Sequence, residues 1–141
     1  DFNFKRLIPE AILSTINNQR FIIRSNGKST RDYVYVDDVV NAYILLMKKL
    51  LNSDQILRIY NVSSKFNHSV QEIVSMILKH MNSVHLKPKI KNFSSKEINF
   101  QRLNFSKIKK DLGWKPKVRI KDGIIDTIKW YKQFYKYLKI K

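Results

Sequence analysis

Arg31 stands between a polar turn and a short run of β-forming residues, where its guanidinium could bind a phosphate. Asn26-Gly27 supplies the turn, because both residue types tolerate positive φ. Residues 33–36 are β-formers, and Asp37 or Asp38 could cap the helix that follows by accepting free N–H groups. A guanidinium held at a strand end can form two parallel hydrogen bonds with a phosphate, so the pattern indicates an anion-binding position.

The spacing of apolar residues predicts helices that alternate with strands along the chain. We predict helices near residues 9–18, 38–51, 70–81, 106–112 and 121–137, and strands at 21–24, 32–36, 58–63 and 87–90. A capping box, Ser69-Val70-Gln71-Glu72, opens the third helix, and Gly113 ends the fourth. One inward face is predicted for the second helix, formed by Val39, Tyr43, Leu46 and Leu50. Such alternation is typical of an α/β fold.

Composition limits the classes to which the protein can belong. A chain of 141 residues forms one domain at most, and its 43% hydrophobic content is enough for a core. The chain has no cysteine, and its three histidines lack metal-ligand spacing, so we predict no disulfide and no metal site. No apolar run approaches the roughly 18 residues that span a bilayer. We expect a cytoplasmic protein without a membrane partner, and a first residue other than Met is consistent with a piece of a longer chain.

The net charge of +17 raises the possibility of a nucleic-acid partner. Residues 87–121 contain twelve basic residues against two acidic ones, but 21 of the 28 basic residues are lysines scattered over every predicted element. No zinc finger, RNP motif or basic zipper is present. We do not expect nucleic acid as the main partner, although a basic nucleic-acid-binding module remains an alternative function.

Four blocks of sequence, in the same order, resemble the extended short-chain dehydrogenase/reductase family of nucleotide-sugar epimerases and dehydratases. Asp1-Phe2-Asn3-Phe4-Lys5-Arg6-Leu7-Ile8-Pro9 is similar to the family's D-x-x-x-x-R-L-I-P segment, and Gly27 to Asp38 to its G-x-x-x-R-D-Y-V-Y-V-D-D block. Tyr60-Asn61-Val62-Ser63-Ser64 resembles Y-N-I-G-S. The closing L-G-W-x-P and G-x-x-x-T-x-x-W-Y patterns are matched by residues 112–116 and 123–131. Residues 1–9 and 97–114 most resemble the CDP-glucose 4,6-dehydratase type.

This resemblance implies a fold and a function. It implies the C-terminal portion of a Rossmann-type enzyme, with a few short strands and about five helices forming the substrate-binding lobe. Residues 1–141 would be a single substrate-binding region, and the N-terminal NAD-binding part would be absent. The parent enzyme would be an NAD-dependent nucleotide-sugar 4,6-dehydratase or epimerase, a homodimer or higher oligomer, and the 141 residues alone would be inactive. A non-catalytic subunit that completes a separate N-terminal half is a further alternative.

The residues that carry the family's chemistry do not appear in this sequence. Its three glycines do not fit the Gly-rich dinucleotide loop. Two Tyr-x-x-x-Lys matches occur, Tyr135 to Lys139 and Tyr137 to Lys141, but they lie at the wrong end of the chain and match chance expectation. We therefore assign no catalytic or cofactor-binding residue within the 141 residues.

Seven positions are candidates for binding a nucleotide sugar. The resemblance makes Arg31 a ligand of the diphosphate, and the alternative is a surface ion pair with Asp32 or Asp37. Arg6 and Leu7 would line the nucleotide end, unless Arg6 is only an exposed residue before a helix and Leu7 belongs to the core.

Ile22 and Arg24 flank the strand position that lines the base pocket in relatives, and strand alternation puts both on one face. An edge strand with an exposed arginine is the alternative. The Asn61 amide could form a hydrogen bond with a base edge or a ribose hydroxyl, or it could simply cap a turn. Many relatives place a second diphosphate arginine near the position of Ser94, and Arg102 is the candidate to substitute for it.

Overall fold

The computed structural model describes residues 3–52, 59–93 and 98–137 of the chain. The elements in chain order are α1 (Leu7–Ile16), β1 (Ile22–Ile23), β2 (Thr30–Arg31), α2 (Val36–Leu51), β3 (His68–Ser69), α3 (Val70–His80), β4 (Lys89–Ile90), α4 (Ser106–Leu112) and α5 (Ile120–Phe134), followed by a 3-10 turn at Tyr135–Tyr137. The described part of the chain is therefore α/β, with five α-helices and four two-residue strands.

Three helices, α1, α3 and α5, enclose the main core. Its fully buried side chains include Ile12, Ile73, Ile77, Ile124 and Tyr131. Their helical spacing places each on the face that meets the other two helices, so burial of these faces stabilises the packing. The predicted capping box opens α3, and the predicted Gly113 ends α4 with a left-handed φ of 67°.

The strands form two separate pairs. β1 pairs with β4 in parallel, and β2 pairs with β3 in antiparallel orientation. Thr30 also forms a parallel bridge with Phe100. The predicted strands at 21–24 and 87–90 are confirmed in shortened form by β1 and β4.

Two strand predictions are wrong. Residues 32–36 were predicted as a strand, but pairing stops at Arg31 and α2 begins at Val36. Their β-forming side chains line instead a cleft against α5, and none of the described strands pairs with this segment. Residues 59–63 of the predicted strand 58–63 are irregular, and Arg58 lies outside the described residues.

The predicted helix cap at Asp37 or Asp38 is also wrong. Tyr35 is the N-cap residue of α2 and makes no side-chain cap hydrogen bond. Asp38 is buried, and its carboxylate accepts hydrogen bonds from the backbone N–H groups of Lys117 and Val118 at 3.0 Å each. The carboxylate thus binds a distant loop rather than its own helix end.

One face of α2 is not covered by any described part of the chain. Tyr43, predicted to point inward, is 70% exposed, and Leu50 is exposed as well, whereas Val39 and Leu46 are half-buried. The exposed stripe consists of Val36, Val40, Tyr43, Ile44, Met47, Leu50 and Leu51. A contiguous apolar stripe of this kind is unusual on a monomer surface. None of the described helices is both long and apolar enough to cross a bilayer.

Candidate functional site

Arg31 lies on a short strand held between two neighbours. It faces His68 across the antiparallel pair, while Thr30 accepts a backbone hydrogen bond from Gln101 on the other side. The Arg31 side chain is half-buried, and its Nη1 donates to the backbone oxygen of Thr30 at 2.8 Å. The guanidinium therefore folds back on its own strand, and Arg31 does not line any of the four clefts that we describe below.

Asp32, next along the chain, joins two distant segments. Its Oδ2 accepts hydrogen bonds from Ser63 Oγ at 2.7 Å and from the backbone N–H of Leu103 at 3.0 Å. Arg31 forms no ion pair with any described residue, so the alternative of a surface pair with Asp32 or Asp37 is not what the structure shows. Sequence reasoning missed Asp32 as the connecting group, because nothing local indicates partners 31 and 71 residues away.

The connections made by Asp32 bring the segments of Asn61 and Arg102 to the edge of β2, yet the two side chains line different clefts. Asn61 is exposed at a cleft of about 270 Å³, and Arg102 is exposed at one of about 740 Å³. In the register set by the parallel bridge between Thr30 and Phe100, the residue next to Arg31 is Gln101, not Arg102. Arg102 is therefore not paired with Arg31 in this arrangement.

Arg6 and Leu7 come together in a cleft of about 510 Å³, which we call the apolar cleft. Arg6 is the extended N-cap residue of α1 and is exposed, whereas Leu7 is half-buried. The opposite walls come from the irregular residues 33–35 and from α5. Its apolar walls and few polar groups are typical of a small-molecule site.

Tyr35 and Tyr131 are two of the three tyrosines that line the apolar cleft, where Thr127 adds a further hydroxyl group. Burial, followed by the charges of Asp37 and Asp126, raises the pKa of Tyr35. Burial also raises the pKa of Tyr131. Both phenols are therefore neutral at physiological pH and serve as hydrogen-bonding groups rather than as bases.

Ile22 and Arg24 lie on the exposed face of the β1 segment, as alternation predicted, but outside the four clefts. Arg24 forms a bidentate ion pair with Glu10 at 2.7 and 3.0 Å. That hydrogen bond and the nearby charge raise the Arg24 pKa. Arg24 thus has an acidic partner already, whereas Ile22 offers an open apolar surface.

The described residues do not fit a dinucleotide cofactor. Gly27 lies in the turn before β2, Gly113 follows α4 and Gly123 is inside α5, so no glycine links a strand to the N-terminus of a helix. Tyr135 donates a hydrogen bond to Asn17, and the lysines of both Tyr-x-x-x-Lys matches lie outside the described residues. Across the described ranges, no group of three His, Cys, Asp or Glu residues could hold a metal ion.

Comparison with known proteins identifies the family. The family model for GDP-mannose 4,6 dehydratase matches residues 2–127. The chain belongs to the GDP-mannose 4,6 dehydratase family. This membership confirms the relationship to extended short-chain dehydrogenases/reductases that the four sequence blocks indicated.

Individual relatives and solved structures are similar to the chain over most of its length. The chain is 28% identical over 134 residues to the dTDP-D-glucose 4,6-dehydratase of Homo sapiens. The alignment covers 92% of this chain and 37% of the human protein. It is also similar to the UDP-glucose 4-epimerase of Thermotoga maritima, which was solved with UDP-glucose. The TM-score is 0.84 and the identity 24%, and the match covers 96% of this chain and 42% of the epimerase. The NAD complex of the dTDP-glucose 4,6-dehydratase of Bacillus anthracis gives a TM-score of 0.81 at 20% identity. This match covers 96% of this chain and 43% of the dehydratase.

These likenesses confirm the predicted fold class, an α/β portion of a Rossmann-type fold. The chain spans little more than a third of the length of the curated relatives that it first matches.

Proposed function

We propose that this chain is the nucleotide-sugar-binding part of an NAD-dependent 4,6-dehydratase or epimerase. The observation that carries the proposal is the match of residues 2–127 to the GDP-mannose 4,6 dehydratase family. The human relative is a dTDP-D-glucose 4,6-dehydratase, and a structural neighbour is a UDP-glucose 4-epimerase solved with UDP-glucose. A nucleoside diphosphate attached to a hexose is therefore the substrate class that we propose.

Arg31 is the proposed ligand of the diphosphate. The Arg31 guanidinium is half-buried, donates to the neutral backbone oxygen of Thr30 and forms no ion pair with a carboxylate of the described residues. Exchanging that single bond to a neutral carbonyl for two parallel bonds to anionic phosphate oxygens would favour binding, because the guanidinium gains a second hydrogen bond and an ionic attraction. This step requires the side chain to turn away from Thr30.

The remaining candidates divide by location. Arg6 and Leu7 in the apolar cleft are the proposed contacts for the nucleoside, whereas Ile22 and Asn61 are proposed as outer contacts. Arg24 would have to leave Glu10 before it could bind substrate, and Arg102 lies in a separate cleft. We therefore rank these two arginines behind Arg31.

NAD and the catalytic residues are proposed to belong to an N-terminal Rossmann part that precedes this region. The described residues offer no dinucleotide loop, and the exposed stripe of α2 presents seven apolar side chains to solvent. Packing of the Rossmann part against this stripe would remove that apolar area from water. In this arrangement the 141 residues bind the sugar nucleotide but do not catalyse its conversion.

The proposal is tested by expressing the reading frame together with its upstream coding sequence. We expect NAD-dependent conversion of a nucleotide sugar, detected by loss of one water for a dehydratase or by an epimeric product, while the 141 residues alone stay inactive. Arg31→Ala should raise KM for the nucleotide sugar at least about tenfold, as expected for the loss of one charged contact, and should leave NAD affinity nearly unchanged.

Arg119→Ala is the matched control, because Arg119 is exposed and pairs with Asp122. Its KM should stay near the wild-type value. Turnover by the isolated 141 residues, or equal effects of the two arginine variants on KM, would contradict the proposal.

A further inference from the structure

Two adjoining clefts bring together basic residues that are scattered in the sequence. The first, of about 740 Å³, is the one lined by Arg102; the second, of about 400 Å³, lies beside β3, and both are lined by Lys65 and Pro116. We call the pair the basic groove. Its cationic side chains are Lys65, Arg102, Lys109, Lys115, Lys117, Arg119 and Lys121.

Within the described residues, acidic groups compensate little of the charge of the basic groove. No aspartate or glutamate is among the residues that line either cleft. Of the seven cations, Arg119 pairs with Asp122 at 2.8 Å. Like charges gathered on one concave surface repel one another, and they raise the local concentration of anions.

Two exposed phenyl rings belong to the same surface. Phe66 lines the second cleft and Phe100 the first, and each is 64% exposed. The Nζ of Lys65 lies 5.4 Å from the centroid of the Phe66 ring. An exposed ring beside a cation provides a stacking surface next to a phosphate-binding group.

We propose that the basic groove binds single-stranded nucleic acid without sequence preference. A nucleotide sugar carries two phosphates and needs two or three cations, whereas seven along a groove fit a chain of phosphates. Cations that follow the backbone, combined with rings on which bases stack, are the features that single-strand-binding surfaces share. The inference goes beyond the proposed function and uses neither Arg31 nor the apolar cleft.

The charge contribution is tested with an oligothymidylate of about twelve nucleotides in a salt series. Neutralising Lys65, Lys109 and Lys115 with glutamine should lower the slope of log K against log salt by about 2, since each phosphate contact on a single strand contributes about 0.7. A control with the same charge change carries glutamine at Lys48, Lys49 and Lys132, which are exposed and line neither cleft. We expect its slope to stay near the wild-type value, and equal slopes in the two triple variants would overturn the proposal.

The aromatic contribution is tested separately with Phe66→Ala/Phe100→Ala. We expect affinity for the oligothymidylate to fall at least about tenfold, because each stacked base contributes on that order. Affinity for inorganic polyphosphate of similar charge should not change. Since both rings are exposed, circular dichroism should show an unchanged fold. Equal losses for the two ligands, or tighter binding of an acidic peptide than of the oligonucleotide, would overturn the assignment.

Discussion

The ring of Tyr35 lies directly against the backbone of Gly123. A Cβ atom built on Gly123 would come within 2.7 Å of Tyr35 Cδ2 and 3.1 Å of its Cγ, which is closer than side chains approach. Tyr35 precedes α2 and Gly123 lies in the second turn of α5. The absence of a side chain at Gly123 thus allows the irregular residues 33–35 to form one wall of the apolar cleft.

Gly123→Ala should therefore destabilise the protein although alanine favours helices. The gain in helix propensity is about 1 kcal/mol, and the cost of overpacking is about 1–3 kcal/mol, so we expect a net loss of about 1 kcal/mol in urea unfolding. In a Tyr35→Ala background the same change should stabilise the protein, because the clash is removed. A destabilisation that is equal in both backgrounds would contradict the contact.

Asp38→Asn should be far more destabilising than Asp37→Asn. Both oxygens of the buried Asp38 carboxylate accept backbone N–H groups, and an amide would turn its NH₂ group towards one of these donors. We expect the free energy of unfolding to fall by about 2–4 kcal/mol. The exposed Asp37 should give a change within about 0.5 kcal/mol. Chemical denaturation of the two variants provides the comparison, and similar losses would refute the role assigned to Asp38.

The capping box of α3 should give stability that depends on pH. The backbone N–H of Ser69 donates to Glu72 Oε2 at 2.6 Å, and this bond, followed by the bond with the Ser69 side chain, lowers the pKa of Glu72. Because the folded pKa is below the unfolded one, the stabilisation is fully present above about pH 4.3 and is lost as pH falls through the folded pKa.

We expect the difference in Tm between wild type and Glu72→Gln to be constant from neutral pH to about pH 5 and to shrink at lower pH. Ser69→Ala removes the other half of the box and should cost about 1 kcal/mol near neutral pH. A Tm difference that grows on acidification would mean that the sign of the pKa shift is wrong.

The exposed stripe of α2 should cause self-association of the isolated chain. Tyr43 and Leu51 are 70% and 77% exposed within it. Tyr43→Lys/Leu51→Lys should shift sedimentation towards the monomer, because charged side chains oppose apolar contact. Val84→Lys, at an exposed apolar residue outside the stripe, serves as the control and should leave sedimentation unchanged. A double variant that sediments like wild type would show that the stripe is not the contact surface.

Local patterns predicted those parts of the fold that local chemistry determines. The capping box at Ser69 and the glycine end of α4 were predicted correctly, because their hydrogen bonds join residues a few positions apart. The predicted strand at 32–36 failed since β propensity cannot show whether a pairing partner exists. The role of Asp38 was missed for a similar reason, because its donors are 79 and 80 residues away.

The candidate site was predictable only in part. Arg6 and Leu7 share the apolar cleft, but their contact with a nucleoside, which the family resemblance implied, stays a prediction. The ion pair that occupies Arg24 depends on Glu10, a residue of another element, and could not be read from the spacing. Whether Arg31 binds a diphosphate stays a prediction, and the KM of its alanine variant is the measurement that decides it.

The hydrogen bonds of Asp32 reach 31 and 71 positions along the chain, to Ser63 and Leu103. Contacts of such long range close large loops, and their entropic cost has to be met before they contribute. We infer that the surroundings of Arg31 are assembled late in folding, after the helical core has formed. A chain arrested before that stage would have native helix content but lack the geometry that ligand recognition requires.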